Sequence, residues 1–473
     1  MKTTAVACAL AGLAIGSASA EGPTLTERQA PHRARAVPVV TASGNATWQC
    51  APATQANLRQ LFWANGERFI IRGIDYQPGS SGKNDDPIAN VDTCKRDITE
   101  FKRLGVNAVR IYSLDNSANH DECMGLLADA GIYLMADLNS PKYSINRDDP
   151  EPSYNAAYLQ SVFATVEEFA KYDNTLLFFS GNEVIYTLNT TTSAEYVKAT
   201  TRDVKNYMRA RGLRQIPVGY SAADISANIW QAADYFNCGS DDARSDFWAF
   251  NDYSWCNTDF VTSGWNQKVQ NFTDYGIPYG CNTNGERKFN EIESLMHSNM
   301  TGVYSGGLMF EYTMEENNFG IIEVKDGKVE ELPEFANFAS ALSKWPMPTA
   351  ATALHSTTHG VACPTSASLW EVNESLLPKM PQAAEKYMDD GAGTGPGLDG
   401  DGSQWNANSG TATTSVASGA PSPTGQGSSS GGGSGNNGGS GNGDSAAAGL
   451  ASHGMLYVSF AAAVATVMGT MFL

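Results

Sequence analysis

The apolar run Leu176-Leu177-Phe178-Phe179-Ser180 ends in Gly181-Asn182-Glu183, which sets an amide and a carboxyl side by side where an extended segment stops. A carboxylic acid emerging at the C-terminal end of a strand stands at the face where parallel barrels keep their chemistry. A sugar-cleaving barrel presents its acid in this way. A solvated turn after a core strand is the competing reading of the same pair, because turns are rich in polar side chains.

The elements around the pair alternate strand with helix. Phe69 to Ile74 reads as a first strand, and Cys94, Ile98, Phe101 and Leu104 share one helical face before a stop at Leu104-Gly105. Strands follow at Val106 to Tyr112 and Ile132 to Leu138, with helical patterns at His120 to Ala130 and Tyr154 to Tyr172. The opening run is then the fourth strand and carries Glu183. Later strand candidates are Ile216 to Tyr220, Phe247 to Asn251, a short Ile277-Pro278-Tyr279, and Val303 to Glu311. Repeated units of this size predict an α/β chain whose parallel strands close into a (β/α)8 TIM barrel.

The ends read as routing segments. Lys2, the apolar stretch Ala5 to Ile15 and Ala18-Ser19-Ala20 form a secretory signal over residues 1–20, followed by an N-terminal extension over 21–57. Small residues near Gly443 to Ala447, a polar spacer and the uncharged Met455 to Leu473 match a glycosylphosphatidylinositol signal, with the hydrophobic tail over 454–473. A membrane-spanning helix is the alternative for that tail. Residues 391–453 are rich in Gly, Ser, Ala, Thr and Asn and read as a disordered stalk, with Pro421 and Pro423 beside possible O-glycosylation sites. The barrel is assigned to 58–390.

A net charge of −19 and no basic patch argue against nucleic acid and favour a neutral polymer as partner. Asn45, Asn189, Asn271, Asn299 and Asn373 head glycosylation triplets, which suits a secreted glycoprotein. Of eight cysteines, Cys8 lies in the signal, and an oxidising compartment pairs six of the other seven. The six histidines are scattered without metal-ligand spacing, so neither a metal nor a cofactor is expected.

Seven motifs in fixed order carry a resemblance. They are Arg72 to Gly79, Asp86 to Ala89, Cys94 to Asp97, Arg110-Ile111-Tyr112, Gly181 to Val184, Ile216 to Ser221 and Asn251 to Cys256. Together they are similar to glycoside hydrolase family 72, the anchored fungal cell-wall β-1,3-glucanosyltransferases. The resemblance implies an enzyme at the outer face of the cell membrane or in the wall, with β-1,3-glucan chains as donor and acceptor and a lipid anchor in the plasma membrane. It also implies a retaining double displacement, which needs two carboxyl groups roughly 5 Å apart.

By that resemblance Glu183 is the acid/base, and Asn182 hydrogen-bonds the 2-hydroxyl at the cleavage point. Tyr76, Gln77, Tyr112, Asp137, Tyr220, Asp224 and Tyr253 match substrate-binding positions, with core packing as the alternative for the aromatic ones. Phe310 stands where many relatives have Tyr. The implied disulfides are Cys94 with Cys123, Cys238 with Cys363, and Cys256 with Cys281, which leaves Cys50 alone.

One departure stands out. The family's seventh strand reads Ile-Pro, an apolar stretch closing with Ser-Glu, then Tyr-Gly-Cys-Asn, and that Glu is the nucleophile. Here Ile277-Pro278 runs straight into Tyr279-Gly280-Cys281-Asn282. Asp274 precedes Ile277 and belongs to the loop before the strand, and Glu311 is expected as a supporting residue. A gene-model or splicing error explains a clean gap between intact motifs, and an inert glucan-binding or structural wall protein is the alternative. Simple hydrolysis by an endo-β-1,3-glucanase is a third reading.

Overall fold

The computed structural model describes residues 40–42, 61–63, 69–79, 84–255, 257–271, 286–348, 360–372 and 377–404. Seven parallel strands form one sheet: β1 (Ile71–Asp75), β2 (Ala108–Ile111), β3 (Tyr133–Asp137), β4 (Thr175–Asn182), β5 (Val218–Ala223), β6 (Phe247–Asn251) and β7 (Gly306–Met309). Their spatial order is β6, β5, β4, β3, β2, β1, β7. Seven of the eight expected strands are therefore present, trimmed or shifted by a few residues at their ends.

The sheet curls. Adjacent strands lie about 4.8 Å apart, so β2 and β5 would stand about 14 Å apart on a flat sheet. Instead Arg110 Nη1 on β2 donates to Ser221 Oγ on β5 across the interior, at 3.3 Å. Ile71, Ala108, Tyr133, Met135, Leu177, Phe179, Phe247 and Ala249 form an inner apolar cluster separate from the larger one beneath the helices. A Cβ at Gly306 would lie 2.0 Å from the Ile71 carbonyl oxygen, so only glycine lets β7 close against β1 at this point. Among the described residues no strand joins β6 to β7. The short strand expected at Ile277 to Tyr279 lies outside the described residues.

Helix α1 (Val91–Leu104) begins where Asn90 accepts from the Thr93 N–H and ends at Gly105 in the left-handed region, the stop its sequence announced. Its buried face contains Cys94, Ile98, Phe101 and Leu104. Cys94 is disulfide-bonded to Cys123 on α2 (Asp121–Asp129). Next come α3 (Ala156–Ala170), α4 (Ala194–Ala210) and α5 (Ile229–Phe236), each after its strand. Cys238 pairs with Cys363, so two of the three expected disulfides are present. Cys50, Cys256 and Cys281 lie outside the described residues.

A buried node ties the β1–α1 loop, α2 and α3 together. His120 Nε2 lies 2.9 Å from Asp86 Oδ2, and its Nδ1 lies 3.0 Å from Glu168 Oε1. Burial alone would push the imidazolium down, but the hydrogen bonds to Asp86 and Glu168 outweigh it and lift the group from 6.5 to about 9. A raised folded-state value stabilises fully below the unfolded value, and that contribution is lost as pH rises through the folded one. The node is thus expected to contribute on the order of 3 kcal/mol near neutral pH, fading towards pH 9. Thermal unfolding from pH 6.5 to 9.5 checks this: the decline should be present in the parent and absent in His120→Gln.

The packed chain continues past residue 390. After α6 (Trp265–Asn271), α7 (Pro333–Lys344) and α8 (Gln382–Asp390), the Ala392 N–H donates to the Tyr207 hydroxyl at 2.8 Å and the Gly397 N–H to Asn116 Oδ1 at 2.9 Å. Asn155 Nδ2 donates to the Ser403 carbonyl at 2.8 Å, and Ala392, Leu398 and Ser403 are buried. The stalk boundary expected at 391 is therefore too early, since residues 391–404 pack on the barrel despite their glycine-rich composition. Asn189, Asn271 and Asn299 are exposed, as glycan acceptors must be. No helix among the described residues is long and apolar enough to cross a membrane.

Candidate active site

Asn182 ends β4 and Glu183 follows with φ at 49°, a left-handed conformation that non-glycine residues adopt rarely and at a cost. Three bonds hold the turn. The Glu183 N–H donates to the Ser221 carbonyl at 2.8 Å, Arg147 Nη2 to the Glu183 carbonyl at 2.8 Å, and the Ile185 N–H to the Tyr220 hydroxyl at 3.0 Å. The carboxyl is fixed as well, because Asn251 Nδ2 at the end of β6 donates to Glu183 Oε1 at 2.6 Å.

Asn182 is oriented through its oxygen. Oδ1 accepts from Arg110 Nη2 at 3.0 Å and from Asn251 Nδ2 at 3.1 Å. That arrangement turns the amide nitrogen away from those donors, ready to donate to a ligand. Arg110 is the hub. Its Nε and Nη2 donate to the two oxygens of Asp137 at 2.8 and 3.1 Å, and its guanidinium lies 4.0 Å from the Phe179 ring centroid and 4.4 Å from that of Tyr112. Burial pulls the guanidinium down, yet the Asp137 charge more than compensates and keeps it protonated.

A pocket opens over this network, lined by Asp75, Arg110, Tyr112, Ser221, Asn251, Tyr253 and Phe310 among others. Tyr253 is 43% exposed and offers an aromatic face at the rim. Tyr112, Tyr253 and Phe310 thus stand where a sugar could stack.

Other residues expected at the site are engaged within the protein. Tyr76 is buried against Phe101 and Tyr312, its hydroxyl donating to Asp97 Oδ2 at 2.7 Å, so it packs the outer core. Tyr220 is buried on the Phe236 ring and braces the Glu183 turn from behind. Gln77 has its polar atoms engaged: Oε1 accepts from the Tyr112 and Ser113 N–H groups at 3.1 and 3.0 Å, and Nε2 donates to the Asp85 carbonyl. It thereby places Tyr112 at the end of β2. Asp137 is taken up by Arg110, and Asp224 is ion-paired with Lys268 at 2.8 Å, a lysine that also bonds Asp252.

Glu311 follows β7, buried, and accepts from Asn317 Nδ2 at 2.7 Å. Burial pushes its carboxyl up to about 8, which suits a structural acid better than a nucleophile at neutral pH. Asp274 and the Pro278-Tyr279 junction lie outside the described residues. Among the described residues no cluster of His, Cys, Asp or Glu could hold a metal ion. Asn251, Ser221, Arg110 and Asp75 went unassigned in the sequence, although each falls on the inward-facing positions of its strand.

The glucanosyltransferase model of glycoside hydrolase family 72 matches residues 46–346. The chain is 53% identical over 381 residues to 1,3-beta-glucanosyltransferase gel1 of Aspergillus fumigatus, covering 77% of this chain and 84% of that one. It is 49% identical over 339 residues to 1,3-beta-glucanosyltransferase GAS5 of Saccharomyces cerevisiae, covering 70% of each. Among solved structures, Saccharomyces cerevisiae Gas2p in complex with laminaritriose and laminaritetraose is similar at a TM-score of 0.65 and 32% identity, covering 73% of this chain and 78% of that one.

Proposed function

Because this chain belongs to the glucanosyltransferase family, glycoside hydrolase family 72, we propose that it cuts internal β-1,3-glucan bonds in the fungal wall and joins the new end to a second glucan. Glu183 protonates the glycosidic oxygen while a carboxylate nucleophile attacks the anomeric carbon, so the reducing-end piece leaves as an alcohol and a glycosyl ester remains. Glu183, now ionised, takes the proton from a hydroxyl of the acceptor glucan as that oxygen displaces the ester. Asn182 donates to the 2-hydroxyl, and Tyr112, Tyr253 and Phe310 flank the sugar. What supports this is the Asn182–Glu183–Asn251 constellation, held rigid at the strand ends beside the cavity.

The nucleophile belongs between Pro278 and Tyr279 and is missing from the sequence. That gap favours a second reading, a glucan-binding wall protein without turnover. Sequencing the transcript across Ile277 to Tyr279 separates the two: an inserted Glu restores the enzyme, and a continuous read sinks that explanation. Incubation with a defined laminari-oligosaccharide then distinguishes transfer from hydrolysis. Products longer than the substrate establish transfer, and a ladder of shorter ones alone selects an endo-β-1,3-glucanase. Residues 1–20 act as the secretory signal, and the segment ending in Met455 to Leu473 is exchanged for a lipid that holds the barrel at the outer membrane face; both lie outside the described residues.

A further inference from the structure

Asp75 closes β1 and lines the cavity with Arg110, Tyr112, Asn251 and Tyr253, yet the mechanism above gives it no part. Only 5% of it is exposed, and its Oδ1 is buried without a hydrogen-bond partner. A buried acceptor left unmade destabilises a fold, and such an atom facing a functional cavity marks the place of an absent donor. Of the surrounding donors, Arg110 directs its nitrogens to Asp137, Ser221 and Asn182, and the Tyr112 side chain hydrogen-bonds the Asp75 carboxyl while Oδ1 stays without a partner.

The chemistry of the missing donor is constrained. Asp75 and Asp137 disfavour an anion there, while the Arg110 guanidinium beside them disfavours a metal ion or an amine. A neutral hydroxyl satisfies both conditions. Tyr112 and Tyr253, on the same cavity wall, add aromatic surface for the apolar face of a sugar ring. Burial pushes the Asp75 carboxyl up to about 7 against the pull of Arg110, so the group loses little by accepting from an uncharged partner.

We propose that Asp75 accepts a hydrogen bond from a glucose hydroxyl at the cavity floor and is a substrate-binding residue that fixes the ring under Tyr112 and Tyr253. This rests on the reading of the cavity as a glucan site. Direct binding tests it without requiring turnover: the full chain, Asp75→Ala and Asp75→Asn are each titrated calorimetrically with laminari-oligosaccharide, alongside their thermal midpoints. Asp75→Ala is expected to bind roughly tenfold to a hundredfold more weakly, and Asp75→Asn, whose amide oxygen still accepts, to lose several-fold less. Neither thermal midpoint should fall far, because Oδ1 makes no bond to the rest of the protein. Equal binding by the parent and both variants overturns the proposal alone, and so does a loss of binding accompanied by a large fall in midpoint in both. A parent that binds no laminari-oligosaccharide overturns the glucan reading together with it.

Discussion

Laminari-oligosaccharide is expected to return unchanged from the chain as written, and longer products are expected once an apolar stretch closing with Ser-Glu is placed between Pro278 and Tyr279. A retaining displacement needs a second carboxyl roughly 5 Å from the first. Three of the described carboxyls near the cavity have other commitments, and the fourth, Asp75, is pushed up to about 7 by burial, which blunts it as a nucleophile at neutral pH. Asp137 is bound by Arg110, Asp224 by Lys268, and Glu311 is buried on Asn317. Catalytic groups that act as a unit lose nearly all of the rate when one is removed, so restoration should raise transfer on the order of 10⁴- to 10⁶-fold. Glu183→Gln in the restored chain should remove it again by a similar factor, since the amide can neither protonate the leaving oxygen nor deprotonate the acceptor. The insertion should also raise the thermal midpoint, because β6 and β7 have no ladder between them among the described strands. Turnover by the uninserted chain, measured from product lengths over a long incubation, would show that another carboxyl serves and would sink the prediction.

Side-chain alternation explains which site residues were legible in the sequence. Strand side chains point to opposite faces in turn. Starting from inward Ile71, the in-facing positions of β1 are Ile71, Gly73 and Asp75, which puts Tyr76 outside, where it is found. The same count gives Ala108, Arg110 and Tyr112 on β2, Tyr133, Met135 and Asp137 on β3, and Phe247, Ala249 and Asn251 on β6. On β5 it gives Ser221 inside and Tyr220 outside. The family resemblance pointed to Tyr76 and Tyr220, whose rings suit sugars, but a matched position says nothing about which side of a strand a ring occupies. Glu183 was legible for a different reason: a register shift between Phe179 and Gly181 and the left-handed turn re-aim the strand end, and the Gly-Asn-Glu sequence announces that break.

The C-terminal boundary failed on composition. Gly391, Gly393, Gly397 and Gly402 all adopt positive φ, so the glycines that suggested a disordered stalk are those the packed turns require. Residues 391–404 are held by single hydrogen bonds to Tyr207, Asn116, Lys142 and Asn155, and those partners are scattered over the sequence. Such tertiary anchoring leaves no local pattern. Helix α1, by contrast, was readable because its apolar face and its Gly105 stop lie, with the Asn90 cap, within sixteen consecutive residues and need no distant partner.

Arg110→Met is expected to destabilise the barrel by about 3–5 kcal/mol, the range for removing one partner of a buried ion pair. Arg110 is 2% exposed, and its loss strands the Asp137 carboxylate in an apolar interior while leaving Asn182 Oδ1 and Ser221 Oγ short of a donor. The uncompensated charge, not the lost attraction, should dominate. Arg110→Met combined with Asp137→Leu should therefore recover more than half of the lost stability, since neither charge then remains to be buried. Glucan binding should stay weak in the double variant, because Asn182 keeps only the Asn251 bond to fix its amide. Arg110→Lys should fall between, as an ammonium cannot reproduce the paired contacts to Asp137. Denaturant unfolding of the four proteins beside oligosaccharide titration separates the two effects. A single variant within 1 kcal/mol of the parent would show that Asp137 is neutral in the fold, and a double variant that binds as tightly as the parent would show that Asn182 is oriented without Arg110.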